Sequence, residues 1–171
     1  IEWRTTPSTT VEASINALDE RQRWLGGTLY NFADNMQWSG RLSAVREAAG
    51  SRLRGTLYGS VYDHLSRASS LPQPIRGDTG QRQVQRLFQA ELQYARPVGA
   101  HLLDIGAQVR RDDTRSVRIP GGRRGITTID PMAQLELNLG TALALVTGMR
   151  VSHSDRWGTH ATPRVALRQR L

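Results

Sequence analysis

The sequence predicts an all-β chain, an antiparallel meander of roughly 8–10 long strands that forms part of a transmembrane β-barrel or a small one by itself. Three observations lead there. Apolar and polar residues alternate with a period of two over most of the chain, which is the spacing of a strand with two unlike faces. Short turn signals, many of them glycine, separate the alternating runs. The runs also extend over roughly 10 to 14 residues, about twice the usual length of a strand in a globular sheet.

The first run sets Val11, Ala13, Ile15 and Ala17 against Glu12, Ser14 and Asn16. Leu25, Gly27 and Leu29 continue the pattern weakly, and Trp38, Gly40, Leu42 and Ala44 restore it. Leu53, Gly55, Leu57, Gly59 and Val61 then oppose Arg54, Thr56, Tyr58 and Ser60. Residues 84–95 carry two periods at once. Val84, Leu87, Phe88, Leu92 and Ala95 fit a helix, whereas Phe88, Ala90, Leu92 and Tyr94 fit a strand. The strand is preferred because its neighbours are strands and Pro97 and Gly99 follow as a turn signal. Leu103, Ile105, Ala107 and Val109 alternate with Asp104, Gly106, Gln108 and Arg110. Ala133, Leu135, Leu137 and Leu139 lead into a tight turn at Gly140-Thr141, after which Leu143, Leu145, Met149 and Val151 resume. In the last run Arg164, Ala166, Arg168 and Arg170 face away from Val165, Leu167 and Leu171.

Two stretches, 66–80 and 112–125, lack periodicity and hold prolines and glycines, so they are expected to be irregular loops within a single barrel segment spanning 1–171. They follow the fourth and sixth strands, and in a meander both leave from the same end.

The polar runs are charged. Glu12, Arg41, Arg54, Arg86, Glu91, Asp104, Arg110, Glu136, Arg150, Arg164 and Arg168 fall in or near strand interiors. A soluble sheet would bury the apolar face and solvate this one; a membrane barrel would turn the apolar face to lipid and the charged face inward. Segment length favours the barrel, because about ten residues carry a tilted strand across hydrocarbon. Glu12, Arg41, Arg54, Glu91, Asp104, Arg110, Glu136, Arg150, Arg164 and Arg168 then become an interior polar wall. Trp24, Trp38 and Trp157 fall near turns or strand ends, where interfacial aromatics belong.

Catalytic and metal chemistry find little support. The absence of cysteine excludes disulfides, thiolate metal sites and cysteine nucleophiles. His64, His101, His153 and His160 have no zinc spacing, although His153 and His160 come near each other across a hairpin. Asp63 and His64, with Ser66, hold the ingredients of a triad, but neighbours in a strand point to opposite faces. No enzyme and no cofactor are expected. Gly121-Gly122-Arg123-Arg124-Gly125 offers backbone amides and guanidiniums to an anion, so Arg118, Arg123 and Arg124 are candidate ligand contacts. The 23 Lys and Arg against 15 Asp and Glu, a net charge of +8, keep a soluble basic all-β module that binds nucleic acid as the alternative.

A resemblance adds to this reading. Thr147-Gly148-Met149-Arg150-Val151-Ser152-His153-Ser154-Asp155-Arg156-Trp157-Gly158, followed by Thr162-Pro163-Arg164-Val165, resembles a recurrent hairpin of TonB-dependent outer-membrane receptors. Thr162 stands where that family usually has Ser. Glu91-Leu92-Gln93-Tyr94-Ala95-Arg96-Pro97 and the run from Asp104 to Asp113 are similar to an earlier hairpin of the same barrels. The likeness covers roughly residues 84–171 well and 10–67 loosely. It implies nutrient uptake at the bacterial outer membrane, such as of a ferric chelate, with the lipid and lipopolysaccharide of that membrane, a plug domain and TonB as partners. Such barrels have about 22 strands, so the expectation is a central portion of one. The plug features and a terminal aromatic are not visible in this sequence.

Overall fold

The computed structural model describes residues 1–73, 80–140 and 142–169. Nine strands among the described residues form one antiparallel sheet, each paired with its predecessor. They are β1 (Glu2–Thr6), β2 (Thr9–Gly26), β3 (Leu29–Ala48), β4 (Ser51–Ser69), β5 (Gly80–Val98), β6 (His101–Ser116), β7 (Arg123–Asn138), β8 (Leu143–Ser154) and β9 (Gly158–Gln169). The sheet is open, since β1 and β9 do not pair with each other. The closed eight- or ten-stranded barrel is therefore not what this chain forms among its described residues.

Residues 84–95 are strand, inside β5, and the helical period is accidental. The expected loops are shorter than predicted. β4 runs to Ser69 and β5 begins at Gly80, with 74–79 (Arg76 among them) outside the described residues. The second loop shrinks from 112–125 to 117–122, because Arg115 pairs with Arg123 and Asp113 with Gly125. β2 to β5 have 18 to 20 residues, well beyond the expected length. The reason is common to all of these cases. Past the apolar stretch both faces are polar, so pairing continues where alternation no longer marks it.

Turns at 7–8, 49–50 and 99–100, with the 139–142 connection, gather at one end of the sheet. The turn at 27–28, the two longer connections and the turn at 155–157 gather at the other, as parity predicts. Thr141 of the expected Gly140-Thr141 turn lies outside the described residues; Gly140 has φ 97° and Leu139 N–H donates to Leu143 O at 2.8 Å. Arg170 and Leu171 lie outside them as well.

Candidate functional site

Antiparallel pairing places directly opposed residues on one face, so the register sorts the whole sheet. One row runs Ala13, Leu42, Leu57, Ala90, Val109, Ile129. Another runs Val11, Ala44, Gly55, Leu92, Ala107, Pro131. Towards β9 the same face carries Ala133, Met149 and Pro163, then Leu135, Thr147 and Val165. Among the described residues no second layer covers this belt: Ile15 is 79% exposed, Leu57 47% and Phe88 51%. A single sheet with its Leu, Ile and Val face bare is the inverse of a soluble sandwich, in which that face is the core.

The other face receives all ten residues of the expected polar wall, from Glu12 to Arg168. Arg150 forms an ion pair with Asp130, which is only 5% exposed, and also reaches Gln108 at 3.3 Å. Arg168 pairs with Glu136 across the intervening strand, over Ala144 and Val146. Arg164 donates to Gln134 at 3.3 Å, again two strands away, and the residue between them is Gly148. Glycine is required there, since an added Cβ would lie 2.8 Å from the Ala133 carbonyl. Arg110 and Asp112 pair along one strand at 2.8 Å. Towards the loop end, Asn35 donates to Glu20 at 3.1 Å and accepts from Tyr62 at 2.9 Å, with His64 Nδ1 at 2.6 Å from the same Asn35 oxygen. Long side chains thus tie next-nearest strands together on this face.

Above the belt, towards the loop end, the apolar face gives way to charge. Arg82 pairs with Asp63 and Arg67 with Asp34 there, while Arg123 pairs with Asp113 in the Val61 row at the belt margin. On the opposite face, hydrogen bonds from Gln22 and Asn35 hold the Glu20 carboxyl below its ordinary value.

Several expectations are corrected here. Arg86 is on the apolar face, beside Val61 and in register with Asp113, and does not belong with the polar wall. Its parity with Phe88 and Leu92 in the sequence already carried that signal. Trp24 pairs with Asn31 at the tip of the β2–β3 hairpin, on the polar face and not on the face of the aliphatic belt. Trp38 stands at the loop-side margin of the belt, and Trp157 is exposed in the turn before β9. Trp3 and Tyr94 mark the opposite margin, beside Val11 and Leu53. Arg118, Arg123 and Arg124 do not converge: Arg118 lies in the loop, Arg123 on the belt face, and Arg124 opposite Thr114 on the polar face.

His153 and His160 are likewise separated. His153 contacts Thr159 Oγ1 at 2.8 Å, while His160 bonds to the Trp157 carbonyl from the other face. Asp63 turns to Arg82 and His64 to Asn35, so no triad forms. No group of three or more metal-ligating side chains exists among the described residues.

No protein-family model and no curated protein sequence matches the chain. Solved structures do. The ferric enterobactin receptor PfeA of Pseudomonas aeruginosa is similar over 97% of this chain, with 13% identity and a TM-score of 0.72. The outer-membrane transporter YddB of Escherichia coli matches 97% at 15% identity with the same score. The fold is similar to part of the β-barrel of these proteins. The siderophore receptor PirA of Acinetobacter baumannii agrees over 99% of the chain, at 9% identity and a TM-score of 0.72. The chain spans 28 to 30% of the length of these structures. The likeness is one of fold, to part of the barrels of TonB-dependent receptors, and it is consistent with an outer-membrane location.

Proposed function

We propose that these residues are a stretch of barrel wall in an outer-membrane receptor that takes up a scarce nutrient, such as a ferric chelate, with energy delivered through TonB. The observation that carries this reading is the sidedness of the sheet. Its aliphatic face is bare and continuous, while its polar face is laced with ion pairs two strands wide. In this reading the belt meets lipid and the ten wall residues face a plug domain inside a barrel closed by further strands. Short turns lie on the periplasmic side and long connections outside the cell, as in bacterial barrels generally. Residues 117–122 with Arg118 lie among the external loops, and Arg124 is the one candidate anion contact that faces the lumen. The similarity to receptors for ferric enterobactin and siderophores supports the choice of cargo class.

The test is uptake by whole cells carrying or lacking the gene for the full protein, with radiolabelled ferric chelates under iron limitation. Uptake that needs both the protein and the energised inner membrane is expected. Equal accumulation without the protein would overturn the cargo, and uptake that persists without TonB would overturn the energy source.

A further inference from the structure

On the polar face of β3, β4 and β5, charge stops partway up the wall. The belt rows hold Arg41, Arg54 and Glu91. Loop-ward of these, every residue of that face over 33–39, 60–66 and 81–87 is without formal charge, His64 being neutral at pH 7. The four uncharged rows extend about 20 Å along the strands, at about 7 Å per row.

Glutamines fill the β5 part of this patch. Gln81, Gln83 and Gln85 stand directly opposite Ser66, His64 and Tyr62 of β4. Gln81 and Gln85 are exposed and Gln83 is half-buried, and among the described residues none of the three side-chain amides has a hydrogen-bond partner. The rings beside them are fixed. Tyr62 and His64 stack with centroids 6.2 Å apart and planes 12° from parallel, and both bond to Asn35 Oδ1. Asn35 is itself only 8% exposed and donates to Glu20, so the nearby carboxylate is engaged within the wall. Among the described residues, the cation nearest Gln85 on this face is Arg124, two strands away beyond Thr114 and about 10 Å distant.

Each carboxamide presents two donor hydrogens and an acceptor oxygen. Three in a column, beside two planar rings, match a ligand rim of carbonyl and hydroxyl oxygens with apolar links between them. An anion fits badly, because it would leave water with no guanidinium or ammonium to meet it. We infer that this sector of the wall binds the uncharged, amide- and hydroxyl-bearing rim of a ferric chelate, and that Gln83 and Gln85 select against anionic chelates. The inference rests on the uptake reading, which places the loop end of the polar face at the outer mouth of the lumen.

The experiment measures equilibrium binding of two iron-labelled probes to the purified full-length protein in detergent. One is an uncharged ferric trihydroxamate, the other an anionic ferric tris-catecholate. Wild type is expected to bind the trihydroxamate roughly ten-fold tighter or more, and Q83A/Q85A to lose roughly ten-fold of that affinity. Q83K/Q85K should reverse the order, because two ammonium groups then meet the anion. Q89A, on the same face of β5 but among the belt rows, should bind both probes as wild type does. Heat-modifiable gel migration reports separately that each variant is folded. Tighter binding of the tris-catecholate by wild type, or unchanged trihydroxamate affinity in folded Q83A/Q85A, would overturn the inference and leave the uptake reading standing. Binding of neither probe by folded wild type would overturn the cargo of that reading as well.

Discussion

Leu57→Arg separates a lipid-facing belt from a solvated sheet face. Leu57 is the third of five belt residues on β4, between Leu53 and Gly55 on one side and Gly59 and Val61 on the other. Eight steps of about 3.4 Å span about 27 Å along the strand, or about 20 Å of height at a 45° tilt. That is close to the apolar band of about 25 Å on outer-membrane barrels, and it places Leu57 near the midplane. Arginine on the lipid face at that depth costs about 2–4 kcal/mol, which lowers the folding constant roughly 30- to 1,000-fold. On a face that met water the same change would cost about 0.5 kcal/mol or less. The neighbour Tyr58 is on the polar face, so Tyr58→Arg should cost under about 1 kcal/mol. Reversible urea unfolding of the full protein in lipid vesicles, followed by tryptophan fluorescence, gives both numbers. If L57R costs no more than Y58R, the assignment of faces is wrong.

Other consequences are open to the same methods. Arg150→Gln leaves Asp130 covered and without its cation; since Asp130 Oδ1 already has no hydrogen bond, the loss should reach about 2–3 kcal/mol in the unfolding assay. Gly106→Ala forces a Cβ to 2.8 Å from the Leu92 carbonyl and should cost about 1–3 kcal/mol, whereas Gly40→Ala, in open space, should be neutral or mildly stabilising. Glu20 has a lowered folded-state pKa. Its contribution is therefore complete above the ordinary carboxylate range and is lost only as pH falls through the lower folded value. Protection of amides at the loop-side end of β2, corrected for the intrinsic exchange rate at each pH, should stay constant from about pH 7 to 5 and fall below about pH 4; a fall already between pH 7 and 5 would contradict this.

What the sequence revealed follows the physics of the belt. Where one face is aliphatic and the other charged, as in residues 53–61 and 103–109, alternation marks strand, face and partner together. The shared face of those ten charged residues was legible for that reason. Outside the belt the contrast disappears, and with it the strand ends at Ser69, Gly80, Ser116 and Arg123. Ion pairs such as Arg123–Asp113 then hold the ladder together, and no local period announces them. Trp24 and Arg86 fail differently. Nearness to a turn does not reveal the face of Trp24, which the register puts on the polar side. The charge of Arg86 suggests the polar side, but its even spacing from Phe88 puts it on the belt side. That Gly40 and Gly59 face each other needs the inter-strand register, because the two glycines are 19 positions apart and meet only through pairing.

The face assignment is tested most directly by scanning β5 with single spin labels. The sequence contains no cysteine, so each introduced thiol is unique. Labels at positions 88 to 92 of the full protein, in lipid bilayers, are compared for collision with oxygen, which concentrates in lipid, and with a water-soluble nickel chelate. The account predicts a period of two, with oxygen favoured at Phe88, Ala90 and Leu92 and the nickel complex at Gln89 and Glu91. The opposite phase, or equal access to nickel at all five positions, would contradict it.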